Sequence, residues 1–128
     1  MQHIPGLYIS MSKLGGRGVF TAHEVSKGDI IEICPLLLIP PSQIEHIDKT
    51  IFYDYYYAWP GEKDGACVAL GYGSLYNHAS KPNADVIFDI DEKTIVIKAL
   101  KKIKANQEIL IDYQGGEKDE SKLWFQVK

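Results

Sequence analysis

Asn77 and His78 stand side by side in "GSLYNHASKPN", residues 73–83, directly after an apolar segment. A side-chain amide beside an imidazole offers donors and acceptors together, and so close to apolar residues both need buried partners or a ligand that supplies them. Read by itself, the stretch is equally a satisfied core histidine followed by a turn at Pro82-Asn83. Three other stretches carry residue types capable of chemistry. "LGGRGVF", residues 14–20, sets Gly15, Gly16 and Gly18 around Arg17. There the backbone N–H and C=O groups can approach a ligand without side-chain obstruction. Alone this is a glycine-rich turn between strands, and with no helix-opening GxGxxG or GxxxxGK[ST] it is not a phosphate loop. "EILIDYQG", residues 108–115, ends an apolar run in Asp112-Tyr113, where a tyrosine commonly packs with its hydroxyl wet. "FYDYYYAW", residues 52–59, holds four of the chain's eight tyrosines with Phe52 and Trp59; rings buried on a helix face account for most of it.

Several chemistries have no residues to carry them. No Asp/Glu pair and no Ser/His/Asp set is spaced for acid–base or nucleophilic catalysis. Cys34 and Cys67 are the only cysteines. With no CxxC and no His, Cys or Asp partner at ligand spacing, they suggest neither a disulfide framework nor a zinc site, and no metal is expected.

The elements that must position these residues are mostly strands. "LYISM", "GVFTAHEV", "DIIEICPLLLI", "ACVALG", "DVIFDI", "TIVIKAL" and "EILIDY" are rich in β-branched residues and bounded by Gly, Pro or Asp. "DVIFDI" and "TIVIKAL", separated by Asp91, Glu92 and Lys93, read as a hairpin. The exception is "PPSQIEHIDKTIFYDYYYAWPG", where Ser42 and Glu45 match a capping box. Ile44, Ile47, Ile51 and Tyr55 recur there at helical spacing until Pro60-Gly61. One helix or two short ones are expected, an insert over about residues 41–60.

The 128 residues, 45% hydrophobic and 24% charged, suit a single domain over 1–128 with a C-terminal tail from 114 to 128. Fourteen Lys and Arg against seventeen Asp and Glu leave a net charge of -3, without the basic excess of a nucleic-acid binder. The longest apolar run, around "ICPLLLIP", is too short to span a bilayer, and the start lacks a signal-peptide pattern. The expectation is a soluble intracellular protein with no direct nucleic-acid or membrane partner.

In order and spacing, the four stretches together resemble the SET domain of protein-lysine methyltransferases. "GRG" is similar to the family's Gly-x-Gly element and "GSLYNHASKPN" to its Asn-His signature. "NQEILIDY" stands where the family has a Gly-Glu-Glu-Leu-Thr-x-Asp-Tyr run. The likeness covers nearly the whole chain and is nearest in outline to the small stand-alone SET proteins of viruses and bacteria. It implies a mainly β fold, a β-clip of small curved sheets with a short helical insert and a C-terminal pseudoknot. It also implies S-adenosyl-L-methionine as cofactor, a protein or peptide substrate bearing the target lysine, histone tails among them, and no metal. Gly16, Arg17 and Gly18 would hold the methionine part of the cofactor, with Asn77 and His78 also on it. Tyr113 would stand beside the transferred methyl, and Tyr55 would wall the lysine channel, ahead of Tyr53, Tyr56 and Tyr57. Trp124 would stack on the adenine or close the channel.

Two departures stand out. The usual Asn-His-Ser-Cys reads Asn77-His78-Ala79-Ser80, and Gly-Glu-Glu reads Asn106-Gln107-Glu108. An isolated domain could borrow a second copy's surface to complete its peptide groove, which opens the expectation of a homodimer. Two other readings compete: a catalytically silent SET-like module that binds a peptide, and a thiol hydrolase pairing Cys34 or Cys67 with His78.

Overall fold

The computed structural model describes residues 2–112. β1 (Leu7–Met11) and β2 (Arg17–Thr21) form an antiparallel hairpin, the whole of a two-stranded sheet. β3 (Ile30–Ile39), β4 (Tyr57–Ala58), β5 (Ala66–Ala69), β6 (Asn77–His78), β7 (Ala84–Asp89), β8 (Thr94–Ala99) and β9 (Leu110–Ile111) make the second sheet, in the order β4-β5-β3-β8-β7-β9-β6. Helix α1 (Pro41–Ile47) and a 3-10 turn (Ile51–Asp54) come between β3 and β4. The fold is mainly β, as the strand-rich patterning requires, and each apolar run named above contains a strand.

The insert forms two short helical pieces. Pro40 occupies the position before the first helical residue and Pro41 opens the helix, so Ser42 lies inside it and no side chain caps the start. Proline suits that first position because its missing N–H would have had no partner there. The capping box expected at Ser42 and Glu45 therefore does not form. Thr50 instead caps the second piece, accepting from Phe52 N at 3.1 Å. Neither piece buries a residue, and Ile51 is 76% exposed. The stripe of Ile44, Ile47, Ile51 and Tyr55 is broken between two helices and does not face the core. Helical structure ends at Asp54, and Tyr57–Ala58 pairs with β5.

The core lies under β3, β7 and β8. Val19, Ile31, Cys34, Cys67, Ile95, Ile97, Ile103, Ile109 and Ile111 are fully buried in it. β3 is long enough to pair with β5 through one half and β8 through the other. A register shift between Ile30 and Glu32 breaks strand alternation, and the consecutive residues Ile31 and Glu32 are both buried. Glu32 accepts from the Tyr76 hydroxyl at 2.6 Å. Burial, then the charge and hydrogen bond of Glu32, push the Tyr76 phenol well above its ordinary range.

The end of the described chain has an unusual setting. β9 runs parallel to both β6 and β7 and lies between them, while residues 79–83 connect those two flanking strands. That connection therefore crosses from one side of β9 to the other. Ala79 N bonds to Ile111 O at 3.0 Å and Asn83 N to Leu110 O at 3.0 Å, which ties both of its ends to β9. The pseudoknot implied by the family resemblance also involves the chain after Asp112, outside the described residues.

Burial pushes the Cys67 thiol up to about 12 from an ordinary 9.0. The folded state keeps its proton where the unfolded chain releases it, so the stability gained from this site is complete below pH 9 and declines as pH rises towards 12. At pH 10 the lead of wild type over Cys67→Ala in urea unfolding is expected to be smaller than at pH 7, by about 1 kcal/mol. An unchanged lead would contradict the thiol's protected state.

Candidate functional site

The site begins at the turn of the β1–β2 hairpin. Ser12 Oγ accepts from Leu14 N at 3.0 Å, and Ser12 N bonds to Gly16 O at 2.9 Å. Gly15 and Gly16 take φ of 97° and 67°, a region costly for residues with a Cβ, and nothing lies within 4 Å of where either Cβ would be. Their backbone is accordingly open to approach. Arg17 is exposed and Gly18 is buried.

Gly18 is needed for a different reason. A Cβ there would overlap the Glu108 carboxylate and come within 2.9 Å of Asn77 Nδ2. Glu108 Oε1 accepts from the Ser12 hydroxyl at 2.7 Å and Oε2 from Asn77 Nδ2 at 2.8 Å. Asn77 Nδ2 also donates to Arg17 O at 3.0 Å. Residues 96 apart in sequence thus meet through one carboxylate, each bond strengthened by its charge. Both Asn77 amide protons are committed within this junction, and Oδ1 is the part of that side chain left to accept from a ligand.

Segment 106–109 brings Glu108 into place. Asn106 N bonds to Thr21 O at 2.6 Å and Ile109 N to Val19 O at 2.8 Å, laying this segment along β2. It continues into β9 beside β6, where Asn77 and His78 are registered against Leu110 and Ile111. His78 Nδ1 stands 4.0 Å from Asp112 Oδ1.

Of the residues predicted from sequence, Arg17, Gly18 and Asn77 meet directly, with Gly16 on the same turn and His78 on the same strand. Tyr55 ends the 3-10 turn, 39% exposed, its N–H bonded to Phe52 O at 2.9 Å, and its side chain takes no part in the junction's hydrogen bonds. Tyr113 and Trp124 lie outside the described residues. Among the other tyrosines, Tyr56 donates to Asp48 Oδ1 at 2.8 Å and Tyr57 donates to Gly73 O at 2.7 Å from inside the core. Sequence reasoning missed the roles of Ser12, Glu108 and Asn83. For Glu108 the signal was available, a carboxylate directly before the apolar run Ile109 to Ile111, where only a satisfied partner would keep it.

The cysteines are not placed for hydrolysis. Cys34 and Cys67 are both fully buried. Desolvation raises both thiols, with Glu32 raising Cys34 further, so neither is disposed to form a nucleophilic thiolate. Among the described residues, no three His, Cys, Asp or Glu side chains converge to hold a metal, and no helix is long and apolar enough to cross a membrane.

Residues 16–114 match the model of the SET domain, from the glycine turn to just past β9. The chain belongs to the SET-domain family of protein-lysine methyltransferases. It is 35% identical over 112 residues to a fission yeast (Schizosaccharomyces pombe) histone-lysine N-methyltransferase, H3 lysine-37 specific, covering 87% of this chain and 71% of that protein. A crystal structure of a Plasmodium falciparum protein provisionally designated a histone methyltransferase superposes with a TM-score of 0.65 at 34% identity, covering 88% of this chain and 99% of the other.

Against the SET pattern, Ala79 contributes through its backbone N–H, bonded to Ile111 O, which needs no side-chain hydroxyl. The Gly18 position leaves no such latitude. Gly18→Ala is expected to cost about 2–3 kcal/mol, measured by urea unfolding, because the methyl must displace Glu108 or Asn77. Gly15→Ala, with open space around its Cβ but a positive φ, is expected to cost about 1 kcal/mol. Equal effects at the two glycines would argue against the packed junction.

Proposed function

We propose that this SET domain transfers a methyl group from S-adenosyl-L-methionine to the side-chain amine of a lysine in a protein substrate. The observation that carries the reading is the junction of Gly18, Asn77 and Glu108, which commits both amide protons of Asn77 and leaves its oxygen as an acceptor. The surrounding groups suit that cofactor. An acceptor oxygen with the carboxylates of Glu108 and Asp112 favours a ligand bearing ammonium and sulfonium charge, and the open backbone at Gly15 and Gly16 leaves space for its amino-acid end. Gly16, Arg17, Gly18, Asn77 and His78 would hold it, together with Tyr113 and Trp124.

When bound, the cofactor supplies an electrophilic methyl on a sulfonium. The chain's own task is to present a neutral, aligned amine. At pH 7 a lysine of pKa about 10.4 costs roughly 4.6 kcal/mol to deprotonate. Aromatic walls at Tyr55 and Tyr113 would lower that cost by stripping water from the ammonium. Their hydroxyls would then orient the amine and accept weak C–H···O contacts from the methyl. No carboxylate base is needed at the centre.

The yeast relative's stated specificity makes a histone H3 tail the first substrate to try, and this chain's net charge of -3 complements a basic peptide. A homodimer, with a second copy completing the peptide groove, is part of the same proposal, and light scattering decides it.

At about 100 times its Kd, S-adenosyl-L-methionine is expected to add about 2.7 kcal/mol of stability. Thermal unfolding with and without it checks this; no gain would point to the silent peptide-binding module. With an H3 peptide followed by mass spectrometry, kcat is expected to rise up to tenfold per pH unit below the pKa of the bound amine. Tyr113→Phe is expected to lower kcat at least tenfold with the melting temperature unchanged, and wild-type turnover in that variant removes the tyrosine from the mechanism.

A further inference from the structure

Glu32 is a buried acid with no part in the junction just described. It is 2% exposed on β3, and its two oxygens hold the short connection between β5 and β6 at two points, near its start and at its end. Oε2 accepts from Tyr72 N at 3.0 Å, and Oε1 accepts from the Tyr76 hydroxyl at 2.6 Å. Gly71 lies beside it at a φ of 68°, and a Cβ there would stand 2.5 Å from Oε2, so glycine alone lets the chain close over the acid. The interior of the connection is tied as well. Gly73 O accepts from Tyr57, and Ser74 Oγ accepts from Ala69 N at 3.1 Å while donating to Ala69 O at 3.0 Å.

Such a group is a poor source of stability, since apolar residues of similar volume often serve a core as well or better. Its effect on position is more specific. Tyr76 adjoins Asn77 in the chain, with Cα atoms about 3.8 Å apart, so fixing the Tyr76 ring fixes where the next residue begins. Asn77 must meet Arg17 O and Glu108 at 3.0 and 2.8 Å, and at such lengths a small displacement breaks a bond.

We infer that Glu32 and Tyr76 are positioning residues for cofactor recognition, acting through Asn77 and His78: together they hold the start of β6 so that the Asn77 amide stays in its junction. The inference rests on the function proposed above. Glu32 and Tyr76 themselves touch neither cofactor nor substrate in this account.

The test compares wild type, Tyr76→Phe, Glu32→Gln, a core control Ile97→Val, and the double variant Glu32→Leu/Tyr76→Phe. For each, the melting temperature, the calorimetric Kd for S-adenosyl-L-methionine, the KM for an H3 peptide and the hydrogen exchange of residues 77–78 without ligand are measured. Tyr76→Phe and Glu32→Gln are expected to raise the cofactor Kd about tenfold, as for a lost hydrogen bond, and to speed exchange at 77–78. Peptide KM is expected to stay within about twofold. Ile97→Val should lower the melting temperature and leave Kd unchanged. The double variant, with an apolar pair in place of the polar one, should recover melting temperature without recovering affinity. Unchanged Kd and exchange in the single variants would overturn the inference, as would a Kd that follows melting temperature through the whole set. If wild type binds no cofactor, the proposed function falls separately. Exchange at 77–78, which needs no ligand, then decides the positioning role: faster exchange in both single variants upholds it, and unchanged exchange ends it.

Discussion

A strand of two residues makes too few backbone bonds to hold itself in a sheet, and Asn83 supplies what β9 lacks. Its side chain donates to Glu108 O at 2.9 Å and accepts from Leu110 N at 2.8 Å, while its own N–H bonds to Leu110 O at 3.0 Å. An amide side chain carries the same donor and acceptor as a peptide group, so Asn83 acts here as a further length of strand. The residue is 4% exposed, where leaving these groups unmet would be costly. Because the main chain at Glu108 is fixed in this way, its carboxylate can reach back to Ser12 and Asn77.

The consequences spread outward from that clamp. Segment 106–109 lies along β2 and leads into β9, which connects the small hairpin sheet to the large one. The 79–83 connection wraps β9 only because its two ends bond to Ile111 and Leu110. A short chain crossing another strand is unusual, and here polar groups hold it: the buried Asn83 on one side, and on the other the register of the half-buried Asn77 and His78 against Leu110 and Ile111. The apolar core beneath, from Ile31 through Ile95 and Ile97 to Ile111, is an ordinary one. Specificity of arrangement comes from the polar contacts and most of the burial energy from the aliphatic residues.

Some parts were plain in the residues and some were hidden. β-branched runs cut by Gly, Pro and Asp mark strands because local preference and pleated packing agree there, and β1, β7 and β8 are found where the patterning puts them. The insert misled on its capping box, since Pro40-Pro41 set the helix start whatever Ser42 offers. It misled again on its apolar stripe, since spacing describes a face without saying that anything packs on it. Tyr57 stands in the aromatic run behind Tyr55 as a channel-wall candidate, yet its hydroxyl holds Gly73 O inside the core. The inward turn of Glu32 depends on a one-residue register shift, and a strand's alternation does not encode where such a shift falls.

By itself the sequence determined the class of fold and the chemical types gathered in four stretches, because these follow from composition, local preference and order along the chain. From that order the family was already recognisable. Tertiary structure alone decided that Gly18 is required by the space of its neighbours rather than by backbone conformation. It alone decided that both Asn77 amide protons are used within the protein, and that the partners of Glu108 are Ser12 and Asn77, so that it joins the hairpin turn to β6. Each of these is a contact between residues tens of positions apart, and such contacts depend on register and crossing, which no local pattern of residue types carries.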